Sequence, residues 1–118
     1  MYKAGTVAVM VSDIERSIQF YTEKLGLTLR LPGDHWAEVQ APGFTIGLHQ
    51  VGDNDPKPGA SGSISIGFQV ENLEPAMGTL RDKGIQFGPQ IVDEGNVRLA
   101  FFADPDGNLL YLVEVRRP

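Results

Sequence analysis

Two stretches of this chain carry the same signals in the same order: TVAVMVSDIERSIQFYTEKLGLTL from Thr6, and SISIGFQVENLEPAMGTLRDKGIQF from Ser63. Val11-Ser12-Asp13-Ile14-Glu15 lies on Val70-Glu71-Asn72-Leu73-Glu74, 59 residues later in a chain of 118. The register holds until a one-residue gap, where Leu25-Gly26-Leu27 meets Gly84-Ile85. Self-similarity at half the chain length implies one supersecondary unit used twice, which constrains the fold more than any single motif here.

Each half reads as a strand, a helix and then short strands. Val7, Val9 and Val11 alternate with Thr6, Ala8 and Met10, the period of two of a strand. Ser12-Asp13-Ile14-Glu15 is a helix start in which Ser12 caps and Glu15 reaches back. Ile14, Ile18, Tyr21 and Leu25 form the apolar stripe, and Gly26 closes the helix. In the second half Asn72 caps, Leu73, Met77 and Leu80 make the stripe, and Lys83-Gly84 end it. Strands are expected at Thr28–Leu31, Trp36–Gln40, Phe44–Gln50, Gln86–Val92, Val97–Ala103 and Asn108–Val115. The expected fold is α+β: two tandem βαβββ modules, about residues 1–51 and 63–118, in a single domain. They are joined by a Gly-, Pro- and Asp-rich linker over 52–62. One helix covers one face of each sheet, so the other face must meet a partner or enclose a ligand.

Composition removes several function classes. There is no cysteine, which excludes disulfides, thiolate metal sites and cysteine nucleophiles and suits a cytoplasmic setting. A net charge of −5 with ten scattered basic residues argues against nucleic acid. No stretch approaches the ~18 apolar residues of a membrane span, and no signal peptide is visible at the N-terminus.

The duplicated plan, with VSDIERSIQFYTEKLGL (Val11 to Leu27), HWAEVQAPGFTIGLH (His35 to His49) and FFADPDGNLLYLVEV (Phe101 to Val115), resembles the vicinal oxygen chelate superfamily. That superfamily includes glyoxalase I, bleomycin-binding resistance proteins, fosfomycin resistance enzymes and extradiol dioxygenases. The resemblance covers almost the whole chain and implies curved mixed sheets that form a cup. It specifies the fold well and the chemistry poorly.

In metal-using members, ligands come from the first and last strand of each module and are usually His, Glu or Gln. Carried over by motif, those positions are Thr6, Gly47, Ser65 and Tyr111. Glycine offers no side chain, and neutral hydroxyls hold a divalent ion weakly. No metal and no other cofactor is therefore expected, with a divalent metal as the alternative. The two carboxylates of Asp104-Pro105-Asp106-Gly107 do not change this. Pro105 fixes φ, Asp104 accepts from the turn backbone and Gly107 takes positive φ. Ala41-Pro42-Gly43 sits between the same two strands of the first half without any carboxylate. A turn explains both segments; a metal site explains one.

Strand parity puts Thr6, Ala8, Met10, Thr45, Gly47 and His49 on the cup face of the first half, and Ser65, Gly67, Gln69, Leu109, Tyr111 and Val113 on that of the second. Trp36 and Glu38 share one face of their strand, and Phe101 is the second-half counterpart of Glu38. If that face also lines the cup, Trp36 and Phe101 are aromatic walls around a flat ligand. The expected ligand-binding residues are therefore Thr6, Met10, Trp36, Gly47, His49, Ser65, Gln69, Phe101 and Tyr111. His49 and Glu38 are the candidates for proton transfer, although a lone histidine is also commonly a hydrogen-bonded or surface residue. Arg98, opposite Phe101, and His35 in a loop read as solvated. Two functions fit: a metal-free protein that binds a small organic molecule in the cup, and a lyase, isomerase or dioxygenase of the same fold. The resemblance also implies a homodimer, with or without exchange of modules.

Overall fold

The computed structural model describes residues 1–60 and 64–116. Ser61–Ser63, where the linker ends and the second repeat begins, and residues 117–118 lie outside the described residues. The chain forms two compact units: Met1–Ala60 together with Pro105–Gly107, and the remaining described residues.

The first unit runs β1 (Thr6–Val11), α1 (Ile14–Gln19), a π-helical turn (Phe20–Lys24), β2 (Thr28–Leu31), β3 (Trp36–Ala41) and β4 (Phe44–Gln50). The second runs β5 (Ile66–Val70), α2 (Leu73–Asp82), β6 (Val92–Asp93), β7 (Val97–Ala103) and β8 (Leu109–Val115). The sheet orders, β1-β4-β3-β2 and β5-β8-β7-β6, are the same topology written twice. In each, the first strand runs parallel to the last and the remaining pairs are antiparallel. The two βαβββ plans expected from the repeat are therefore present.

Burial follows parity. Ala37, Val39, Ala41, Ile46 and Leu48 alternate along β3 and β4 and are buried with Ile14, Phe20 and Tyr21 of the helical segment. In the second unit Ala100, Phe102, Leu110, Leu112 and Ile66 are buried with Leu73 and Met77 of α2. Burying such a side chain contributes about 1.5–3 kcal/mol, and these residues decide which face of each sheet takes the helix. Val7 and Val9 share the parity of Val11, yet Val11 alone is buried.

Both helices are capped by the last strand of their own sheet. The Gln50 side chain accepts from the Ile14 N–H (2.8 Å) and donates to the Ser12 carbonyl (2.8 Å). Glu114 accepts from the Leu73 N–H at 2.8 Å. This corrects two expectations. Asp13, not Ser12, caps α1, accepting from the Arg16 N–H at 3.2 Å. Asn72 stands at the cap position of α2 without a side-chain bond there, because Glu114 takes the first free donor. Gly26 and Gly84 follow the helices at φ of 77° and 91°, as helix-ending glycines do.

The expected strand Gln86–Val92 shrinks to Val92–Asp93. Gly88 and Pro89 interrupt it: Pro89 has no N–H to donate, and ahead of β6 the Gly88 N–H donates to the Phe101 carbonyl at 2.8 Å. Arg98 is not a solvated surface charge. Its side chain is 14% exposed and bonds Glu74, with Asp93 at 3.8 Å and Glu114 at 3.6 Å. Donation from Arg98 pulls the Glu74 carboxyl down to about 2 from its ordinary 4.5, and the same bond raises Arg98.

The DPDG turn has the expected form, with Asp104 accepting from the Asn108 backbone and side-chain amides (2.9 and 2.8 Å) and Gly107 at φ 83°. Its second carboxylate does more than the sequence suggests. Within the first unit, Asp106 accepts from the backbone N–H and the hydroxyl of Ser12 and from Arg16, and its side chain is 5% exposed. Ser12 thus serves as a donor to Asp106 rather than as the helix cap.

Candidate functional site

The faces opposite the helices carry the expected site residues, and each unit is described by itself. In the first unit the register fixes the face: Thr6 is paired with Thr45, Ala8 with Gly47 and Met10 with His49. Across the next ladder Trp36 is paired with His49, Glu38 with Gly47 and Gln40 with Thr45. Paired residues point to the same side, so Trp36 and Glu38 join the face that Thr6, Met10, Gly47 and His49 occupy. Thr6 lies at the exposed start of β1, whereas Trp36, Glu38, Met10 and His49 are half-buried.

Trp36 reaches diagonally from β3 onto β4. A Cβ added at Gly47 would fall on the outer edge of the indole benzo ring. The ring therefore lies along the sheet, and glycine is what permits it to do so. The indole N–H donates to Glu38 Oε2 at 2.9 Å, fixing both side chains. The His49 ring stands at 6.1 Å and 65° to the indole, in an edge arrangement, and its Nε2 is 3.8 Å from Asp55. Asp55 lies in the linker, within a turn in which it also accepts from the Gly52 N–H at 2.7 Å. Toward β2, Thr45 donates to Gln40 Oε1 at 2.9 Å, and Arg30 donates to the same oxygen at 3.3 Å. His35 is exposed, as expected.

In the second unit, Gly67 is paired with Tyr111 and Phe101 with Tyr111, so all three share a face with Gln69, Val113 and Leu99. The same device recurs here: a Cβ at Gly67 would meet the hydroxyl end of the Tyr111 ring. Phe101 packs beside Tyr111 with centroids 5.4 Å apart and planes at 47°. Ser65 lies one residue before β5 and is exposed, so it does not belong to the strand with which it was grouped. Gln69 is exposed on β5.

The metal-ligand positions implied by the resemblance are not a donor set that suits a divalent ion. In the first unit they are a threonine hydroxyl and a glycine whose side-chain space holds an indole; in the second, a serine hydroxyl and a phenol that leans on Gly67. Among the described residues, no three His, Asp or Glu side chains are grouped closely enough to hold a metal ion.

Sequence reasoning missed Asp55 and Arg30. Asp55 lies in a turn, which carries no periodic signal, and Arg30 lies in β2 where the register shifts between Leu29 and Leu31, so that parity does not fix its side. The Gly–aromatic pairing was also missed, since it depends on which residues lie beside one another across strands.

Comparison with known proteins places this geometry. The model of the Glyoxalase/Bleomycin resistance protein/Dioxygenase superfamily matches residues 3–112. A superfamily member from Sphaerobacter thermophilus DSM 20745 is 27% identical with a TM-score of 0.80, over 97% of this chain and 98% of that one. TnmS3, an antibiotic binding protein from Streptomyces sp. CB03234, is 27% identical with a TM-score of 0.77, over 98% and 97% of the two chains. Lactoylglutathione lyase of Schizosaccharomyces pombe is 26% identical over 95% of this chain, which spans 47% of that enzyme. With the family match covering nearly every residue of both repeats, the chain belongs to the Glyoxalase/Bleomycin resistance protein/Dioxygenase superfamily.

Proposed function

We propose that this protein binds a small organic molecule against the helix-free faces of its sheets, without the metal that serves enzymes of this superfamily. The observation that carries the reading is the indole of Trp36 lying where a side chain at position 47 would project. A ligand carboxylate there and Trp36 in its present place are mutually exclusive. What remains on the two faces is aromatic surface with a few orienting polar groups: Trp36, Glu38, His49 and Met10 on one, Phe101, Tyr111 and Gln69 on the other. Apolar walls with sparse polar groups are the chemistry of a binding site, and sequestration requires affinity alone. The likeness to an antibiotic binding protein over the whole chain supports the same class.

Trp36 is the sole tryptophan, so its fluorescence reports on the site directly. A screen of aromatic metabolites and antibiotics should yield compounds that quench Trp36 and raise the unfolding midpoint together. A ligand at a hundred times its dissociation constant adds ~2.7 kcal/mol of stability. Failure of every compound on both readouts defeats the proposal.

The second reading, a metal-dependent lyase, draws on the likeness to lactoylglutathione lyase. It predicts a saturable thermal shift with Zn²⁺, Ni²⁺, Mn²⁺, Fe²⁺ or Mg²⁺ after chelator treatment. Under the binding reading none of these ions shifts the midpoint.

The same proposal places the protein in the cytoplasm as a homodimer. The absence of cysteine supports the first part. For the second, β1 is an edge strand with Val7 exposed, an arrangement that a partner strand or sheet would protect. Among the described residues no helix is long and apolar enough to cross a membrane. Sedimentation that finds a monomer at all concentrations removes the dimer without touching the binding reading.

A further inference from the structure

We infer that the ligand taken by the first unit is a planar aromatic cation, which stacks on Trp36 and presents its N–H donor to Glu38. The inference rests on the binding reading above and adds the chemical class. Trp36 reaches across the sheet because Gly47 leaves room for the outer edge of its benzo ring, and the side chain remains partly exposed there. Such a surface selects flat molecules, and an indole face attracts positive charge through its quadrupole.

Glu38 adds the sign. Its Oε2 takes the indole N–H at 2.9 Å, which holds the carboxylate beside the ring and leaves Oε1 to accept from a ligand. A half-buried carboxylate acts through a lower effective dielectric than an exposed charge, so it attracts a cation more strongly than an exposed group repels one. The opposing charge is Arg30. It comes from the exposed strand β2 and bonds Gln40, the next residue of this face along β3. Solvent screens it more than it screens Glu38. Near the ring, Asp55 stands 3.8 Å from His49 and adds a second negative group on that side.

The test compares three flat probes: proflavine, a cation with amino donors; acridone, its neutral relative; and anthraquinone sulfonate, an anion. Affinities are read from Trp36 fluorescence and checked by calorimetry. Proflavine should bind about ten-fold more tightly than acridone, and Glu38→Gln should remove that preference by weakening proflavine the more, as expected for one charge-assisted hydrogen bond. The conservative substitution keeps an acceptor for the indole N–H, so folding is preserved, and an unchanged thermal midpoint verifies it. Equal binding of acridone or tighter binding of the sulfonate, with Glu38→Gln indifferent, overturns the charge assignment and leaves the binding reading standing. Binding of none of the three, when other compounds from the screen do bind, also overturns the inference alone. Silence of both the probes and the screen overturns the two together.

Discussion

The two repeats share a topology and a device but not a chemistry. In each, an aromatic ring occupies the space above a glycine on the helix-free face: Trp36 above Gly47, and Tyr111 above Gly67. At the first ring stand Glu38 and His49; beside the second packs Phe101. The opposite faces differ as well. The strand residue that holds the first helical N–H is a neutral amide, Gln50, in the first unit and a carboxylate, Glu114, in the second, where it also sits 3.6 Å from Arg98 and 3.5 Å from Arg116. Glu114 thus joins the second helix cap to two arginines, whereas Gln50 brings no charge of its own to the first. The backbone needs a capped helix and a packed face from each repeat, and it is indifferent to which groups supply them.

The sharpest way to break this comparison is at the caps. Glu114→Ala strips the Leu73 N–H of its acceptor and removes one of the carboxylates near Arg98, which keeps Glu74, so it should cost about 2 kcal/mol in chemical denaturation. Gln50→Ala removes the matching bonds in the first unit without disturbing an ion pair, and about 1 kcal/mol is expected. Equal losses at the two positions mean that the ion cluster around Arg98 contributes nothing beyond a neutral cap.

The glycines come next. A side chain at Gly47 or Gly67 must displace the ring above it, and Gly47→Val should cost about 1–3 kcal/mol as overpacking does. Trp36 emission should shift to the red as the indole leaves the sheet, and Gly67→Val should leave that emission unchanged. Asp106→Ala releases Ser12 and Arg16 at the start of α1, with an expected loss of about 1 kcal/mol, as for other helix N-terminal acceptors.

The smallest effect belongs to Glu74, whose side chain is mostly exposed. Its carboxyl is held near 2 by donation from Arg98, below the ordinary 4.5, so the stabilisation is complete above 4.5 and disappears as pH falls toward 2. Urea midpoints followed through that acid window should fall more for the natural chain than for Glu74→Gln. Parallel curves remove the Glu74–Arg98 bond from the account of the second unit.

Much of this was legible in the chain. The offset of 59 residues between Val11-Ser12-Asp13 and Val70-Glu71-Asn72 gave the duplicated topology. Valine and isoleucine parity gave the buried faces, and Gly26, Gly43, Gly84 and Gly107 marked turns that do require positive φ. The candidate face was legible for the same reason: residues two apart on a strand point the same way, so Trp36 with Glu38 and Gly47 with His49 follow from counting. Local pattern failed where a distant group outcompeted a nearby one. Ser12 and Asn72 have the chemistry of helix caps, yet Gln50 and Glu114 hold the first helical N–H groups. Gln86–Val92 has the composition of a strand, but Pro89 cannot donate to a ladder.

The sequence by itself determined the repeat, the element order and the side of each strand that faces a helix, because these follow from short-range sterics and the period of side chains. Tertiary structure alone decided the partners of the polar groups. A hydrogen bond depends on separation in space, and Ser12 with Asp106 and Arg98 with Glu74 become neighbours when strands and turns remote in the chain are brought together. The space above Gly47 was visible in the sequence as a missing side chain; that an indole fills it follows from the register between β3 and β4.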